Sequence, residues 1–449
     1  MKKFILGLVV SFLLIIPAQA NDIDKYIRQT DFELQSTVGV YIQDENTGHA
    51  LYKKNEQKLL NPASMLKTLT FGISYLVLGE NYKFETALYK DSSNNIYVKL
   101  GGDTLLSQGD LNNLFKEFKE KFNTAKINNI YIDDTLLDKN PYPIGWMEED
   151  VWPYARGITA YIVDKNYTDI LIKRSSLATK VEIIQNDDYK IPAINELKLA
   201  DKESDIQDIK LVRIWGEDNS IVNFQGTVSK DEIMKLPVLK PEINFTIKLK
   251  KAVQKNGINY SKTILTSPMP LNAVKVASVY HTIEELSKDI LHNSDNFTSE
   301  TVSKVAAAKF INYAHPATFD DEINMFNNYF KNQMPEGIKF ADASGVSRYN
   351  LVNCEFMTNA LVELFRKTQL KSLMATSGDG TLKDRLPFLK GSLRAKTGTL
   401  SKMSSITGGV KTEKGNDVAF SIITQNSAKR KAVLKNFENT IIGIIYKNY

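Results

Sequence analysis

Ser64 and Lys67 stand three positions apart in Ser64-Met65-Leu66-Lys67, at the head of an apolar stripe formed by Leu66, Leu69, Ile73, Leu76 and Leu78 at helical spacing. A serine hydroxyl is a poor nucleophile at neutral pH and needs a base within hydrogen-bond reach. Helix positions i and i+3 share a face, so the Lys67 amine can lie beside the Ser64 oxygen, and burial together with a second nearby cation would lower its pKa until the neutral amine can act as base. Alone, a serine and a lysine at this spacing are a common coincidence. Two further sets follow: Ser294-Asp295-Asn296 after a helical pattern, and Lys396-Thr397-Gly398-Thr399 after a strand-like one. Taken singly, the first could be a helix cap and the second a plain turn. Taken together they complete an acyl-transfer site. Ser294 can relay a proton to a leaving amine and Asn296 can hold a substrate amide. Lys396 and Thr397 can meet a carboxylate, while Gly398 lets an extended peptide lie along a strand edge. The backbone N–H groups of Ser64 and Thr399 are candidates for an oxyanion hole, where one donor contributes about 3 kcal/mol.

Composition removes other classes of chemistry. The histidines His49, His281, His292 and His315 have no metal-ligand spacing and no HExxH pattern, so neither a metal nor a cofactor is expected. A formal charge of +5 on 449 residues is spread without a base-reading motif, and nucleic acid is not an expected partner. The lone Cys354 allows no internal disulfide and opens an apolar-periodic helix, where it reads as structural. Stability must therefore come from ordinary buried cores.

At the N-terminus, Lys2 and Lys3 precede an apolar run from Phe4 to Ile16 and then Ala18-Gln19-Ala20, the pattern of a secretory leader cut after Ala20. A periplasmic location is expected. Val38 to Ile42 alternates into the turn Asn46-Thr47-Gly48 as a hairpin. From about residue 85 short alternating runs dominate, and Glu242 to Lys255 reads as a helix leading out. Helical patterns return over Leu271–Val279, Ile283–Leu291, Glu300–Tyr313 and Asp320–Lys331, followed by two strands near Gly391–Ala395 and Val418–Thr424. The expected division is a leader over 1–20, one domain in two parts over 21–84 and 266–449, and a beta-rich insertion over 85–265 with a nested unit. A C-terminal helix bearing Val433, Leu434, Phe437, Ile441, Ile444 and Ile445 could touch a membrane surface, but packing on the sheet is the better reading.

The order of the three sets is that of penicillin-binding proteins and class A beta-lactamases. The Ser64-to-Ser294 interval is more than twice that from Ser294 to Lys396, too long for a compact beta-lactamase. The chain resembles the D-alanyl-D-alanine carboxypeptidase/endopeptidase family, the class C low-molecular-mass penicillin-binding proteins. Asn61-Pro62-Ala63-Ser64 is similar to its P-A-S-x-x-K and Gly101-Gly102-Asp103 to its G-G-D. Gly145-Trp146, Asp150 and Tyr154 resemble G-W-x-x-x-D-x-x-x-Y. Asp342-Ala343-Ser344-Gly345-Val346-Ser347-Arg348 looks like D-G-S-G-L-S-R, with Ala343 and Val346 as departures, and Asp379-Gly380-Thr381-Leu382 like D-G-T-L. The resemblance implies an α/β (α+β) transpeptidase-like domain, helices on an antiparallel sheet, interrupted by the insertion. It implies peptidoglycan stem peptides as substrate and beta-lactams as covalent inhibitors. It also implies that Asp150, Arg348 and Leu400 take the zwitterionic end of a diaminopimelate side chain, as an acid and an arginine suit an ammonium–carboxylate pair. Two rivals share the motifs: a serine beta-lactamase, for which Glu336 lacks a matching loop, and an idle cell-wall binding or sensing protein.

Overall fold

Val38–Ile42 and Val418–Ile423 are buried at successive positions rather than alternate ones, the texture of strands covered on both faces. They pair in register, Val40 with Ile422 and Ile42 with Phe420, at the centre of a five-stranded antiparallel sheet. Its order is Leu393–Leu400, Met403–Lys411, Asp417–Gln425, Thr37–Asp44, Ala50–Lys54. In this computed structural model the described residues are 18–122, 126–146, 152–175, 180–201, 206–214, 221–261 and 263–449. The expected leader lies outside them up to residue 17, as does Asp150.

The two faces of this sheet carry different helices. On one, Lys431–Asn448 buries Leu434, Phe437, Ile441, Ile442 and Ile445 together with Ile23 and Ile27 of Ala18–Gln29. Of the expected stripe Leu434, Phe437, Ile441 and Ile445 are thus spent on the sheet, while Val433 is exposed and Ile444 half-buried. On the other, Lys67–Leu78, Asn296–Phe310 and Cys354–Lys367 form the larger core. Cys354 is fully buried there, and burial pushes its thiol far up, away from any reactive thiolate.

Two departures from the expected elements have local causes. Leu271–Val279 is not helical; Val274–Thr282 is a strand paired with Lys83–Lys90. A bulge between Lys275 and Ala277 puts the neighbours Val276 and Ala277 both inside, which breaks the alternation and imitates helical spacing. The strand Met403–Lys411 is missing from the expected set because Ser404, Ser405, Gly408 and Gly409 are weak strand formers. Its two neighbours supply what its own side chains lack.

The segment between the parts of this domain builds a second five-stranded sheet, ordered Ile264–Thr266, Ile130–Asp133, Ile96–Lys99, Lys83–Lys90, Val274–Thr282, with Gln108–Phe122 and Pro241–Lys255 packed near it. Two three-stranded sheets with their own core of Ile170, Ile172, Phe224 and Leu236 are nested inside. Because Val274–Thr282 belongs to the second sheet, we propose that the insertion closes after Thr282 rather than at 265.

Phe437 stacks on Phe32 with ring centroids 3.9 Å apart. Phe437→Ala should cost about 3–5 kcal/mol of stability, read by urea unfolding.

Candidate active site

Lys67 begins a helix whose approach is a single 3-10 turn, Ala63–Leu66, and in a 3-10 turn residues i and i+3 eclipse. That turn brings the Lys67 Nζ to 3.0 Å from Ser64 Oγ. The same nitrogen donates to Asn296 Oδ1 at 2.7 Å and to the Ser344 carbonyl at 2.6 Å. The side chain is fully buried. Burial drives its pKa down, Asp342, Glu300 and Asp295 pull it partly back, and the amine is left at about 8. A neutral amine beside Ser64 Oγ is therefore accessible near neutral pH, and burial rather than the expected second cation lowers it.

The turn is strained and braced. Ala63 sits in the left-handed region at φ 47°, an uncommon place for a residue with a Cβ. Asn61 holds it: its Oδ1 accepts the Ala63 N–H at 2.9 Å, and its Nδ2 donates to the Ser347 and Asn350 carbonyls. Ser405 Oγ donates to the Pro62 carbonyl at 2.7 Å from the sheet side. Gly398 makes that approach possible. A Cβ there would lie 2.9 Å from both Ser64 N and Pro62 O and 2.3 Å from Ser405 Oγ. This clearance is a second reason for glycine, beyond room for a peptide.

Ser294-Asp295-Asn296 turns out to be a helix cap and part of the cluster at once. Asp295 is the N-cap of Asn296–Phe310 and accepts the Thr298 N–H at 2.7 Å. Ser294, left-handed at φ 59°, precedes it and accepts a 2.8 Å hydrogen bond from Lys396 Nζ. Lys396 is fully buried, and burial together with the nearby Lys67 charge holds it well below the ordinary lysine range. Thr397 Oγ1 donates to Thr381 Oγ1 at 2.8 Å, tying the Asp379–Leu382 stretch to the strand. Asn296 completes its amide by donating to the Tyr154 carbonyl at 3.1 Å.

Residues 342–348 form the floor. Asp342 is fully buried and accepts from Trp146 Nε1, Ser344 Oγ, Gly345 N, Ser347 N and Asn350 Nδ2. Five donors around one carboxylate hold this loop so that the Ser344 carbonyl faces Lys67. Gly345 is left-handed at φ 81°, and a Cβ on it would reach 2.0 Å from the Ala63 carbonyl. The departure at Ala343 is accommodated: its carbonyl accepts from Thr70 Oγ1 and Ser299 Oγ.

The structure thus brings Ser64, Lys67, Ser294, Asn296 and Lys396 together with Thr397 and Gly398, with Thr399 and Leu400 continuing the same strand. Leu400 is half-buried at the strand end, and Arg348 is exposed. Sequence reasoning missed Arg156. It is buried, stacks over Tyr167 and Phe297 at 4.0 and 4.5 Å, and forms an ion pair with Asp295. Its charge and the Thr298 N–H outweigh burial and keep the Asp295 carboxyl below its usual range. The sole hint was its position just past Tyr154.

The model of the D-Ala-D-Ala carboxypeptidase 3 (S13) family matches residues 19–447. The chain belongs to that family. Its members are serine peptidases, as the site leads one to expect. This family member is similar to the D-alanyl-D-alanine carboxypeptidase DacB of Haemophilus influenzae, 23% identical over 92% of this chain and 91% of the relative. The crystal structure of penicillin binding protein 4 from that organism superposes with a TM-score of 0.83 at 21% identity, covering 95% of this chain and 99% of the other. Its complex with a beta-lactam gives a TM-score of 0.77 at 22% identity and the same coverages. These likenesses establish the penicillin-binding fold.

Gly398→Ala should fold but lose about 100-fold in the rate of acylation by penicillin, since displacement of this order at a reacting group has that effect. Circular dichroism and a labelled-penicillin time course check both halves.

Proposed function

We propose that Ser64 is the nucleophile and Lys67 its base in a D-alanyl-D-alanine carboxypeptidase or endopeptidase reaction on peptidoglycan stem peptides. The observation that carries this is the Lys67 nitrogen, bonded to Ser64 Oγ at 3.0 Å with a pKa near 8. Neutral Lys67 takes the Ser64 proton as Oγ attacks the penultimate D-alanine carbonyl, and the oxyanion forms against the N–H groups of Ser64 and Thr399. The leaving amine receives a proton through the Ser294 hydroxyl, which Lys396 orients, and water later releases the acyl group. Asn296 has its oxygen on Lys67 and its nitrogen on Tyr154 O, so it both aims the base and borders the groove. Thr397, Gly398 and Lys396 form the edge that would receive substrate backbone and carboxylate. Asp150, Arg348 and Leu400 would bind the zwitterionic end of the third stem residue; Asp150 lies outside the described residues, and Arg348 is exposed, where it could take a carboxylate.

The leader-like sequence pattern over residues 1–20 supports export to the periplasm, where this substrate lies. Among the described residues no helix is long and apolar enough to cross a membrane. A beta-lactamase would need a dedicated water-activating acid. Glu336 is exposed and takes no part in the hydrogen bonds around Ser64.

Labelled penicillin should modify the mature protein and fail to modify Ser64→Ala; equal labelling of both would end the assignment. Nitrocefin should be turned over slowly, rapid multiple turnover pointing to the beta-lactamase instead. The second-order acylation rate should rise with pH as Lys67 loses its proton, with a midpoint near 8. Digestion of purified cell wall followed by mass analysis of muropeptides separates loss of cross-linked dimers from loss of terminal D-alanine.

A further inference from the structure

Behind the base, the core contains two carboxyl groups that the reaction above does not use. Glu300 lies one helical turn after Asn296 on Asn296–Phe310, so the two share a face, and Glu322 comes from the adjacent helix Phe319–Phe330. Both are fully buried. Glu300 Oε1 accepts the Ala343 N–H at 3.0 Å, one residue before the carbonyl that meets Lys67. Among the described residues Glu300 Oε2 and both oxygens of Glu322 have no hydrogen bond of good geometry, though the Ser344 hydroxyl lies near enough to Glu300 and the Ser303 hydroxyl to Glu322 to favour their charged forms in part.

The other charges in this region are accounted for. Asp342 is satisfied by its five donors, Lys304 is paired with Asp138 and donates to the Asn140 carbonyl, and Asp295 is paired with Arg156. Two further carboxyl groups, fully buried beside the Asp342 carboxylate and held by few donors, cannot both be ionised without a large desolvation and repulsion cost. We propose that Glu322 is a neutral acid in the resting enzyme and that Glu300 is a positioning residue whose charge sets the pH at which Lys67 becomes a base. The inference rests on Lys67 being that base.

The electrostatics agree with the geometry. Burial, then the charge of Asp342, pushes Glu300 above the ordinary carboxyl range against the pull of the Ala343 N–H and the Lys67 ammonium, while burial and Glu300 push Glu322 well above it. A Lys67 cation and a Glu300 anion stabilise each other, so at fixed pH a proton that leaves Lys67 Nζ for the substrate raises the proton affinity of Glu300. A folded carboxyl pKa raised above the unfolded value means that the native state holds a proton which the unfolded chain releases. Stability from this source falls as pH rises from about 4.5 through the folded pKa.

Glu300→Gln keeps an acceptor for Ala343 N–H and removes the charge. Its acylation–pH profile should move to lower pH by up to about one unit, a gain of up to about tenfold below the midpoint wherever Glu300 is ionised in the parent. Glu322→Gln should leave the profile in place, and its Tm advantage over the parent should widen between pH 5 and pH 8. An unmoved profile in Glu300→Gln, or a shifted profile with lost stability at pH 7 in Glu322→Gln, overturns the proposal. Should either variant fail to fold, infrared difference spectra of the unaltered protein decide: a band of buried protonated carboxyl at pH 6 that weakens above pH 8 supports it, and absence of the band refutes it. That measurement does not involve acylation, so it stands even if Ser64 proves unreactive.

Discussion

The Lys67 ammonium is held out of water at the centre of the molecule, and most of the surrounding architecture follows from that. Desolvation favours the neutral amine, while three hydrogen-bond acceptors and the carboxylates of Asp342, Glu300 and Asp295 favour the cation. Neither side wins outright. A lysine fully solvated would be useless as a base at neutral pH, and one with a direct carboxylate partner would never release its proton. The observed partners are a hydroxyl, an amide oxygen and a carbonyl, each neutral, with the anions acting from further off.

Maintaining that balance requires acceptors that do not move. The Ser344 carbonyl is aimed by the five donors on Asp342, the Asn296 oxygen by its amide's other bond to Tyr154, and Ser64 by the braced, left-handed Ala63. The strain at Ala63 and Ser294 is carried by these hydrogen bonds and by two glycines. Gly345 and Gly398 let three pieces of backbone converge on Ser64 within distances no Cβ would allow. Precision at the site is thus a property of the surrounding polar framework as much as of the reacting groups.

The inserted segment takes part in that framework. Trp146, Tyr154 and Arg156 all reach back from it, to Asp342, Asn296 and Asp295 respectively. A segment between Lys67 and Ser294 that supplied only substrate contacts would not need to buttress the cap of the Asn296–Phe310 helix. Here the catalytic helix and the insertion depend on one another.

The identity and order of Ser64, Lys67, Ser294, Asn296 and Lys396 were legible in the sequence, because the chemistry restricts residue type and because Lys67 lies one turn from Ser64. The helices with clear periodicity, such as Cys354–Lys367, were legible for the same local reason. Val274–Thr282 was misread because its bulge breaks the alternation, and Met403–Lys411 was overlooked because its strand state comes from two neighbours. Arg156, Glu300 and Glu322 carry charges that in a sequence read as solvent-facing. Only the tertiary structure decides that they are buried, since burial depends on chain distant in sequence packing over them, and the same burial is what lowers the Lys67 pKa against the pull of the surrounding carboxylates.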